Sequence, residues 1–319
     1  MQRLGSAPSI MNGVPDVARG AMNILLVVGR FPERSETFIY RKAVALAERG
    51  HHVTVAARHL GDWSLYPGPR PSNLVVERLS PDNSLRNPSD ALVALGRTLG
   101  HAARVPRRTW SMYELARAGA SSRVDQLRSF VRHMPFVGRR ADVVHLEFLG
   151  FSAMYPHLER LVEAPIVVSC RGIDVHAIEI RPARERAAHI DRLRRVDAIH
   201  CVSDEMARTV ARLTGRTAGV WVNRPAVDTT AIAPRPPLGP GSSVRLLAVG
   251  RLVWKKGFDH LLAAMATLVA RGVDAHLEIL GDGPLKSVLR FSIEDLGLRN
   301  RVSLAGGVPS SEVLARLQH

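Results

Sequence analysis

The chain is poor in cysteine, with only Cys170 and Cys201 among its 319 residues. Two cysteines exclude both the multi-bridge disulfide framework of small secreted domains and a closed zinc site built from cysteines. Each cysteine lies in an apolar run that is typical of a buried strand. We therefore expect two buried free thiols and a cytoplasmic protein.

Long hydrophobic runs are also missing. No stretch reaches the roughly 18 consecutive apolar residues that indicate a membrane-spanning helix. Residues 1–22 lack the apolar core of a secretory signal peptide. We expect this segment to form a disordered tail that precedes the folded chain.

Acidic residues are scarce relative to basic ones, 29 against 44, so the formal net charge is +15. Such an excess indicates an anionic partner, either nucleic acid, a lipid headgroup surface or a phosphorylated ligand. The cations are almost all arginine, which also fits a GC-rich coding sequence; the lysines are Lys42, Lys255, Lys256 and Lys286. No recognisable nucleic-acid module accompanies the charge, so we expect no nucleic-acid partner.

Residues 23–227 alternate apolar strand runs with amphipathic helical patterns, which predicts a doubly wound parallel α/β sheet. The first helix is predicted over Ser35–Gly50, with Ser35 as its N-cap. The strands are predicted at Asn23–Gly29, His52–Ala56, Leu74–Leu79, Asp142–Leu146, Pro165–Ser169, Ala198–Val202 and Val220–Asn223. These elements form one Rossmann-like domain.

A proline- and glycine-rich segment, residues 228–243, indicates an interdomain linker. The alternation then begins again over 244–319, which predicts a second, partial Rossmann-like domain. Its strands are predicted at Val244–Val249, Ala275–Leu280 and Arg301–Leu304, with helices at Gly257–Arg271, Pro284–Leu296 and Ser311–His319.

Residues 97–140 form an insertion between the third and fourth strands, with ten arginines against only Glu114 and Asp125. Apolar residues such as Trp110, Tyr113 and Leu127 interleave with them. A basic helix with an apolar face can lie on an anionic membrane. The alternative is a packed helical pair with a solvated arginine face, and both interpretations stay open here.

The loop Gly250–Gly257 follows a strand and precedes a helix, so Arg251 and Lys256 stand where open α/β sheets bind ligands. Two fixed cations suit a diphosphate. Each cation–phosphate contact at about 4 Å contributes roughly 4 kcal/mol before desolvation, at an effective dielectric constant near 20. A solvated basic turn is the alternative.

Several motifs together resemble the retaining GT-B glycosyltransferases of the group 1 family. Gly250-Arg251-x4-Lys256-Gly257 matches the family's first donor loop, and Leu280-Gly-Asp-Gly-Pro284 and Gly306-Gly-Val308 match its second and third loops. The segment 223–228 resembles the family's Asn-Gly-Val-Asp stretch. Phe31–Ile39 is similar to the branch that builds exopolysaccharides of the colanic-acid type.

The resemblance implies transfer of a sugar, with retained anomeric configuration, from a UDP- or GDP-sugar to a saccharide or lipid-linked acceptor. In the family, the residues matching Arg251 and Lys256 stabilise the leaving diphosphate, so no metal or other cofactor is expected. The sequence also lacks Asp-x-Asp, the metal-binding pair of the other main glycosyltransferase fold. The donor-binding set is Gly250, Arg251, Lys256, Gly281, Asp282, Gly283, Gly307 and Val308.

The first domain is expected to bind the acceptor, through Glu36 or Thr37 after the first strand and through Arg171 and Asp174 after a later one. Arg171 stands where the family often has a histidine. Arginine cannot act as a base at ordinary pH, so we expect it to contact a phosphate or a carboxylate-bearing sugar. His145 and His176 are interpreted as structural.

The sequence departs from the family pattern at its end, because no Glu-x7-Glu motif follows the Arg–Lys loop. We therefore expect a fragment or a truncated gene product with little or no transferase activity of its own. The alternative is a non-catalytic partner that keeps the GT-B fold. A nicotinamide-dependent oxidoreductase is disfavoured, since neither domain has Gly-x-Gly-x-x-Gly after its first strand.

Overall fold

The computed structural model of the protein describes residues 20–79, 96, 98–100, 102–118, 122–226 and 243–318. The chain divides into two units, Met1–Pro225 and Ala226–His319. Apart from residues 20–22 and 243, the predicted tail and linker lie outside the described residues. No helix in the described ranges is long and apolar enough to cross a membrane.

The first unit contains a parallel sheet of seven strands in the order β3-β2-β1-β4-β5-β6-β7. This order confirms the predicted doubly wound α/β fold. The direction of winding reverses between β1 and β4, and the carboxyl ends of these two strands flank the usual ligand position. The strands are β1 (Asn23–Phe31), β2 (His52–Leu60), β3 (Leu74–Arg78), β4 (Val143–Leu146), β5 (Ile166–Cys170), β6 (Ala198–Cys201) and β7 (Val220–Val222).

Helices join these strands and build two apolar cores. One core lies between α1 and the face of the sheet that presents Leu26 and Val55, and the other lies on the opposite face around Val144, Phe136 and Val168. Both faces of β1 are apolar and buried over Ile24–Val28, as a sheet covered on both sides requires. The helices are α1 (Thr37–Glu48), α2 (Pro106–Ala118), α3 (Arg123–His133), α4 (Leu149–Met154), α5 (Leu158–Leu161), α6 (Ile173–His176), α7 (Ala183–Arg195) and α8 (Asp204–Thr214).

The predicted N-cap of the first helix is wrong. A 3-10 turn, Arg34–Glu36, precedes α1, and the N-cap residue is Glu36, without a side-chain capping bond. The strand β1 also runs two residues further than predicted, to Phe31. Arg30 and Phe31 therefore extend β1 at its carboxyl end, and the helix starts at Thr37 instead of Ser35.

The arginine-rich insertion forms a packed helical pair, as one of the two interpretations predicts. Met112 and Ala116 of α2 are buried in the larger core, and Val131 of α3 is buried as well. Trp110 and Leu127 stay exposed, by 63% and 46% respectively. The pair therefore has a packed inner face and an outer face that carries both arginines and large apolar side chains.

His133, at the end of α3, makes the stability of the first unit depend on pH. It is fully buried, its Nδ1 lies 2.8 Å from the Ser129 carbonyl oxygen, and burial lowers its pKa from 6.5 to about 4. Below pH 6.5 the unfolded chain therefore takes up a proton first. We expect the free energy of unfolding to decrease as the pH falls from about 6.5 to about 4, by up to about 3 kcal/mol from this residue.

Urea denaturation at about pH 7 and about pH 5 measures this decrease in the free energy of unfolding. In the variant His133→Gln, the decrease in the free energy of unfolding between the two pH values is expected to be smaller. A matched change at an exposed histidine, His52→Gln, is expected to leave it unchanged. Equal decreases in all three proteins would show that His133 does not carry the effect.

The second unit contains a parallel sheet of three strands in the order β10-β9-β8, which repeats the order of the first three strands of the first unit. Its core surrounds Leu252, Leu262, Met265 and Ile279. The elements are β8 (Val244–Val249), α9 (Phe258–Ala270), β9 (Ala275–Leu280), α10 (Lys286–Asp295), β10 (Val302–Gly306) and α11 (Ser310–Gln318). Helix α10 starts two residues after the predicted Pro284.

Candidate functional site

The loops that follow the three strands of the second unit are joined by main-chain hydrogen bonds. Gly250 N donates to Leu280 O at 2.9 Å, and Leu252 N donates to Asp282 O at 2.9 Å. Gly281 N donates to Gly306 O at 2.7 Å. The three motifs that are far apart in the sequence therefore form one continuous rim at the carboxyl edge of the sheet.

Glycine is required at the centre of this rim. Gly281 has a φ angle of +157°, and a Cβ atom there would lie 1.8 Å from Gly250 O. Gly283 has a φ angle of +159°, and its Cβ would lie 2.5 Å from Leu252 O. The glycines therefore let the second loop approach the backbone of the first.

We expect Gly281→Ala to lower the free energy of unfolding by about 2 kcal/mol or more, because it combines backbone strain with a clash. Gly272→Ala is the matched control. Gly272 also has a positive φ angle, +75°, but nothing lies within 4 Å of its Cβ position. Its substitution should therefore lower the free energy of unfolding only by the cost of a left-handed backbone at alanine, about 1 kcal/mol. Urea denaturation distinguishes the two, and equal losses would contradict the close approach.

Arg251 and Lys256 project from the first loop into solvent. Both are exposed, and neither makes a side-chain hydrogen bond or ion pair within the described part of the chain. The stem of Lys256 lies over Gly250, because a Cβ atom at Gly250 would be 3.8 Å from Lys256 Cδ. The rim thus holds two cations whose charges are available to a ligand, as the sequence predicts.

Asp282 has a different environment from these cations. Its carboxylate contacts Lys286 Nζ at 3.1 Å and accepts a hydrogen bond from Gly283 N at 2.8 Å. These contacts, with Lys286 first, lower the pKa of Asp282. Lys286 also lies 3.9 Å from the Cβ position of Gly306. It is a third cation at the rim that the sequence interpretation missed, although it is one of only four lysines and starts the helix after the Gly-Asp-Gly turn.

Gly307 and Val308 directly follow β10 at the same edge of the sheet. Gly307 is exposed and Val308 is half-buried. The bond between Gly281 N and Gly306 O places them beside the second loop. Every predicted donor-side residue is therefore found on this one rim.

In the first unit, a cavity of about 350 Å³ lies at the switch point between β1 and β4. Its lining is mainly apolar and aromatic, and consists of Gly29, Glu36, Phe148, Gly150, Phe151 and Met154. Of the predicted acceptor-side residues, Glu36 lines this cavity and Thr37 begins α1 beside it. The cavity offers flat apolar surfaces together with a carboxylate.

Arg171 is held in place by a buried carboxylate next to this cavity. Its Nη2 lies 2.7 Å from Glu147 Oε2 and its Nε donates to Glu147 O at 3.0 Å. The guanidinium carbon lies 4.3 Å from the centre of the Phe38 ring and 6.0 Å from that of Phe148. Burial lowers the pKa of Arg171 to about 10, so it stays charged at neutral pH.

Glu147 is fully buried and also contacts Lys42 of α1. One carboxylate thus bridges two cations. Burial, and then the charge of Arg171, lower the pKa of Lys42. The contact with Glu147 favours the charged ammonium of Lys42. The sequence interpretation missed Glu147 and Lys42. The available signals were an acidic residue directly after a buried strand and the isolated lysine of an amphipathic helix.

Asp174 connects the loops that follow β4 and β5. Its carboxylate accepts hydrogen bonds from Gly172 N at 2.9 Å, from Arg171 N at 3.3 Å and from Leu149 N at 3.2 Å. It therefore fixes the backbone that carries Arg171 and the start of α4. His176 lies on the surface, 3.6 Å from Glu205.

Comparison with known proteins agrees with this geometry. Residues 35–226 match the family model for the glycosyl transferase 4-like domain, and residues 235–319 match that for glycosyl transferases group 1. The chain is 29% identical over 300 residues to the putative colanic acid biosynthesis glycosyltransferase WcaL of Escherichia coli K12, and the alignment covers 90% of this chain and 71% of that protein.

A second relative is the GDP-mannose-dependent alpha-(1-6)-phosphatidylinositol monomannoside mannosyltransferase of Mycolicibacterium smegmatis. It is 32% identical over 158 residues, which cover 47% of this chain and 41% of that protein. Among solved structures, Anabaena Alr3699/HepE in complex with UDP and glucose is similar, with a TM-score of 0.55 and 15% identity, over 90% of this chain and 70% of that one. This likeness shows a shared GT-B fold.

Proposed function

The chain belongs to the glycosyltransferases, with a glycosyl transferase 4-like domain followed by a group 1 domain, and on this premise we propose a reaction for it. It transfers a sugar from a nucleoside diphosphate sugar to a hydroxyl of a saccharide or lipid-linked acceptor. The anomeric configuration is retained. The product is an exopolysaccharide or another cell-envelope polysaccharide, made in the cytoplasm.

One observation carries this proposal: the rim of the second unit presents Arg251 and Lys256 without partners among the described residues. Lys286 adds a third cation, partly neutralised by Asp282. Unpaired cations suit a diphosphate when they stand on a loop that main-chain hydrogen bonds fix at the carboxyl edge of a parallel sheet. The backbone N–H groups of the adjacent glycine loops add donors that can approach phosphate oxygens closely.

The chemistry follows from where charge develops. As the bond from the sugar to the diphosphate breaks, negative charge accumulates on the leaving phosphate oxygens. Arg251 and Lys256 stabilise that charge in fixed positions, which lowers the barrier without a large reorganisation. Loss of one such electrostatic contact typically slows a reaction about 10²–10³-fold. The proposed reaction requires no metal ion, because the cations of the protein take that role.

The first unit holds the acceptor in the cavity between β1 and β4. Phe148 and Phe151 offer apolar faces for the C–H face of a sugar ring, and Glu36 can accept a hydrogen bond from a hydroxyl. Its volume of about 350 Å³ lies at the small end of ligand pockets, which suits the terminal sugar of an acceptor. The guanidinium carbon of Arg171 lies 6.0 Å from the ring centre of Phe148, which lines this cavity, and Asp174 fixes the backbone that carries Arg171.

The donor nucleotide is UDP or GDP. A UDP complex is known for the similar Anabaena structure, and the mycobacterial relative is named as GDP-mannose-dependent. Incubation of the full chain with UDP- and GDP-hexoses and a set of glycoside acceptors tests the proposal. Consumption of one donor class, with a product of retained configuration by proton NMR, would support it. Binding without turnover is the result expected of a chain with little or no activity of its own, or of the non-catalytic alternative. The absence of both nucleotide binding and turnover would contradict the proposed reaction.

We propose, further, that the α2–α3 pair makes peripheral contact with an anionic membrane at the inner face of the plasma membrane. Trp110 packs on Tyr113, with ring centres 5.6 Å apart, and both rings are exposed. The exposed arginines around them are Arg104, Arg107, Arg108, Arg117 and Arg123. An apolar face flanked by cations is the pattern of helices that lie in the headgroup region.

We expect the full chain to float with vesicles that contain phosphatidylglycerol at low salt, and to be released as the ionic strength rises. Trp110→Ala should weaken binding several-fold, because the ring no longer enters the headgroup layer. Trp221→Ala, at an exposed position outside the pair, is the matched control. Equal flotation with neutral phosphatidylcholine vesicles, or none with anionic ones, would contradict this contact.

A further inference from the structure

A polar row crosses one face of the first unit's sheet. His145 of β4, Ser169 of β5 and His200 of β6 lie on it, while the opposite face of the same strands is apolar and fully buried at Val144, Val168 and similar positions. A doubly wound sheet normally carries apolar residues on both faces. Polar side chains at three neighbouring strand positions therefore need their own explanation.

These residues form one chain of hydrogen bonds. Lys42 Nζ lies 3.4 Å from His145 Nδ1, and His145 Nε2 lies 2.8 Å from Ser169 Oγ. Ser169 Oγ lies 2.9 Å from His200 Nδ1, and His200 Nε2 lies 2.9 Å from Asn223 O. The chain thus runs without a break from α1 to the end of β7.

The two ends determine where every proton lies. A lysine ammonium can only donate and a backbone carbonyl can only accept. With neutral rings, His145 therefore accepts at Nδ1 and donates from Nε2. Ser169 accepts from His145 and donates to His200, which in turn donates from Nε2 to the carbonyl oxygen of Asn223. Each link has one possible direction.

The two ends of this hydrogen-bond chain lie at the Glu147–Arg171 pair and at the last strand of the first unit. Lys42 also contacts Glu147, which holds Arg171 beside the cavity. Asn223 N donates to Cys201 O at 3.0 Å, and this residue precedes the boundary between the two units at Pro225. The chain therefore links the candidate acceptor side to the segment that leaves the first unit.

Protonation of His145 breaks this arrangement at its Lys42 end. His145 faces Lys42 from α1, Arg171 from the loop after β5, and His200 from β6, with the Glu147 carboxylate as the opposing charge. His200 faces the same two cations and the carbonyl oxygen of Asn223. A protonated ring donates from both nitrogens, so a protonated His145 would point its Nδ1–H at the Lys42 ammonium, which cannot accept it. A protonated His200 would donate from Nδ1 to the second lone pair of Ser169 Oγ and would keep its bond to Asn223 O.

We propose that the Lys42–His145–Ser169–His200 chain is a pH-sensitive switch. While both histidines are neutral, it holds the Arg171–Glu147 pair and the backbone at Asn223 in one arrangement. When acidification protonates His145, it releases the Lys42 end. This inference goes beyond the proposed transferase reaction, and its tests do not depend on activity.

Long-range proton–nitrogen NMR of the full chain with ¹⁵N-labelled histidine tests the proton order. His145→Gln and His200→Gln assign the two signals among the 13 histidines. Near pH 7.5 both rings are expected as the neutral Nε2–H tautomer. A charged ring, or an Nδ1–H tautomer at either position, would overturn the proposal.

Hydrogen exchange tests the link across the sheet. Ser169→Ala removes the central hydroxyl, and exchange in the segment 220–226 should become roughly fivefold faster, equivalent to about 1 kcal/mol. Acidification of the wild-type protein should instead accelerate exchange in the loops that carry Glu147 and Arg171, after correction for the intrinsic pH dependence of exchange. His145→Gln, in which the link to Lys42 is already lost, should show no further acceleration. Ser152→Ala is the control. It removes a buried hydroxyl that donates to Leu149 O at 2.7 Å and takes no part in the hydrogen bonds from Lys42 to Asn223. Equal exchange in Ser169→Ala and Ser152→Ala would overturn the link.

Discussion

Replacement of Lys256 by alanine is expected to weaken the binding of the preferred nucleoside diphosphate, UDP or GDP, about 10- to 100-fold. A charged hydrogen bond of this kind contributes about 1.5–3 kcal/mol, and each 1.4 kcal/mol is a factor of ten. Arg251→Ala should have a similar effect, because both side chains are exposed without partners among the described residues. Isothermal titration calorimetry on the full chain measures both.

The matched control is Lys255→Ala. Lys255 carries the same charge, is also exposed, and is the immediate neighbour of Lys256 in the same 3-10 turn. A purely long-range effect of net charge would weaken binding equally in both variants. We expect Lys255→Ala to change the affinity less than threefold, because one surface charge contributes little at physiological ionic strength. Equal losses would contradict specific contacts from Lys256.

Replacement of Glu147 by alanine is expected to destabilise the protein by about 3–5 kcal/mol. Its carboxylate is fully buried between Lys42 and Arg171, so its removal leaves two partly buried cations without a counter-charge. Glu147→Gln keeps the shape and the acceptor oxygen but removes the charge, and a large part of the loss should remain. Urea denaturation near pH 7 measures the difference.

An exposed ion pair provides the comparison. Glu163 contacts Arg108 at 2.9 Å, but its side chain is 84% exposed. Such surface pairs contribute about 0–1 kcal/mol, so Glu163→Ala should change stability little. A loss below about 1 kcal/mol in Glu147→Ala would mean that the buried bridge does not hold this part of the first unit together.

Much of the fold could be predicted, because strand and helix periods are local features. The limits of β8 and β9 are those that their apolar runs predict. The doubly wound order also follows from alternating strands and helices. The predicted start of α1 was wrong. Ser35 has the local features of an N-cap, but β1 extends to Phe31 and the helix begins at Thr37.

The position of the rim in the second unit was predictable for a similar reason. Its three motifs each follow a strand, and parallel strands end at the same edge of a sheet. The buried bridge was not predictable in this way. Lys42 and Glu147 are 105 residues apart, and only the pairing of β1 with β4 brings them together. Lys286 was missed because its place at the rim depends on the pairing of β9 with β10, which brings its Nζ to 3.9 Å from the Cβ position of Gly306.

The polar row across β4, β5 and β6 illustrates the same limit. In the sequence, His145, Ser169 and His200 each interrupt an apolar run and appear as isolated polar positions. Their hydrogen bonds exist only because the register aligns Ser169 with His200 and places β4 beside β5. Sequence periodicity predicts that a residue lies on a face of a sheet, but it does not predict which residue on the next strand lies beside it.

The cations of the second unit are proposed to bind a nucleoside diphosphate without a metal ion. Calorimetric titration of UDP, and separately of GDP, into the full chain in the presence of EDTA tests this proposal most directly. We predict saturable binding of at least one of them, with an affinity that falls as the salt concentration rises. Binding that requires a divalent cation, or no binding of either nucleotide, would contradict the account.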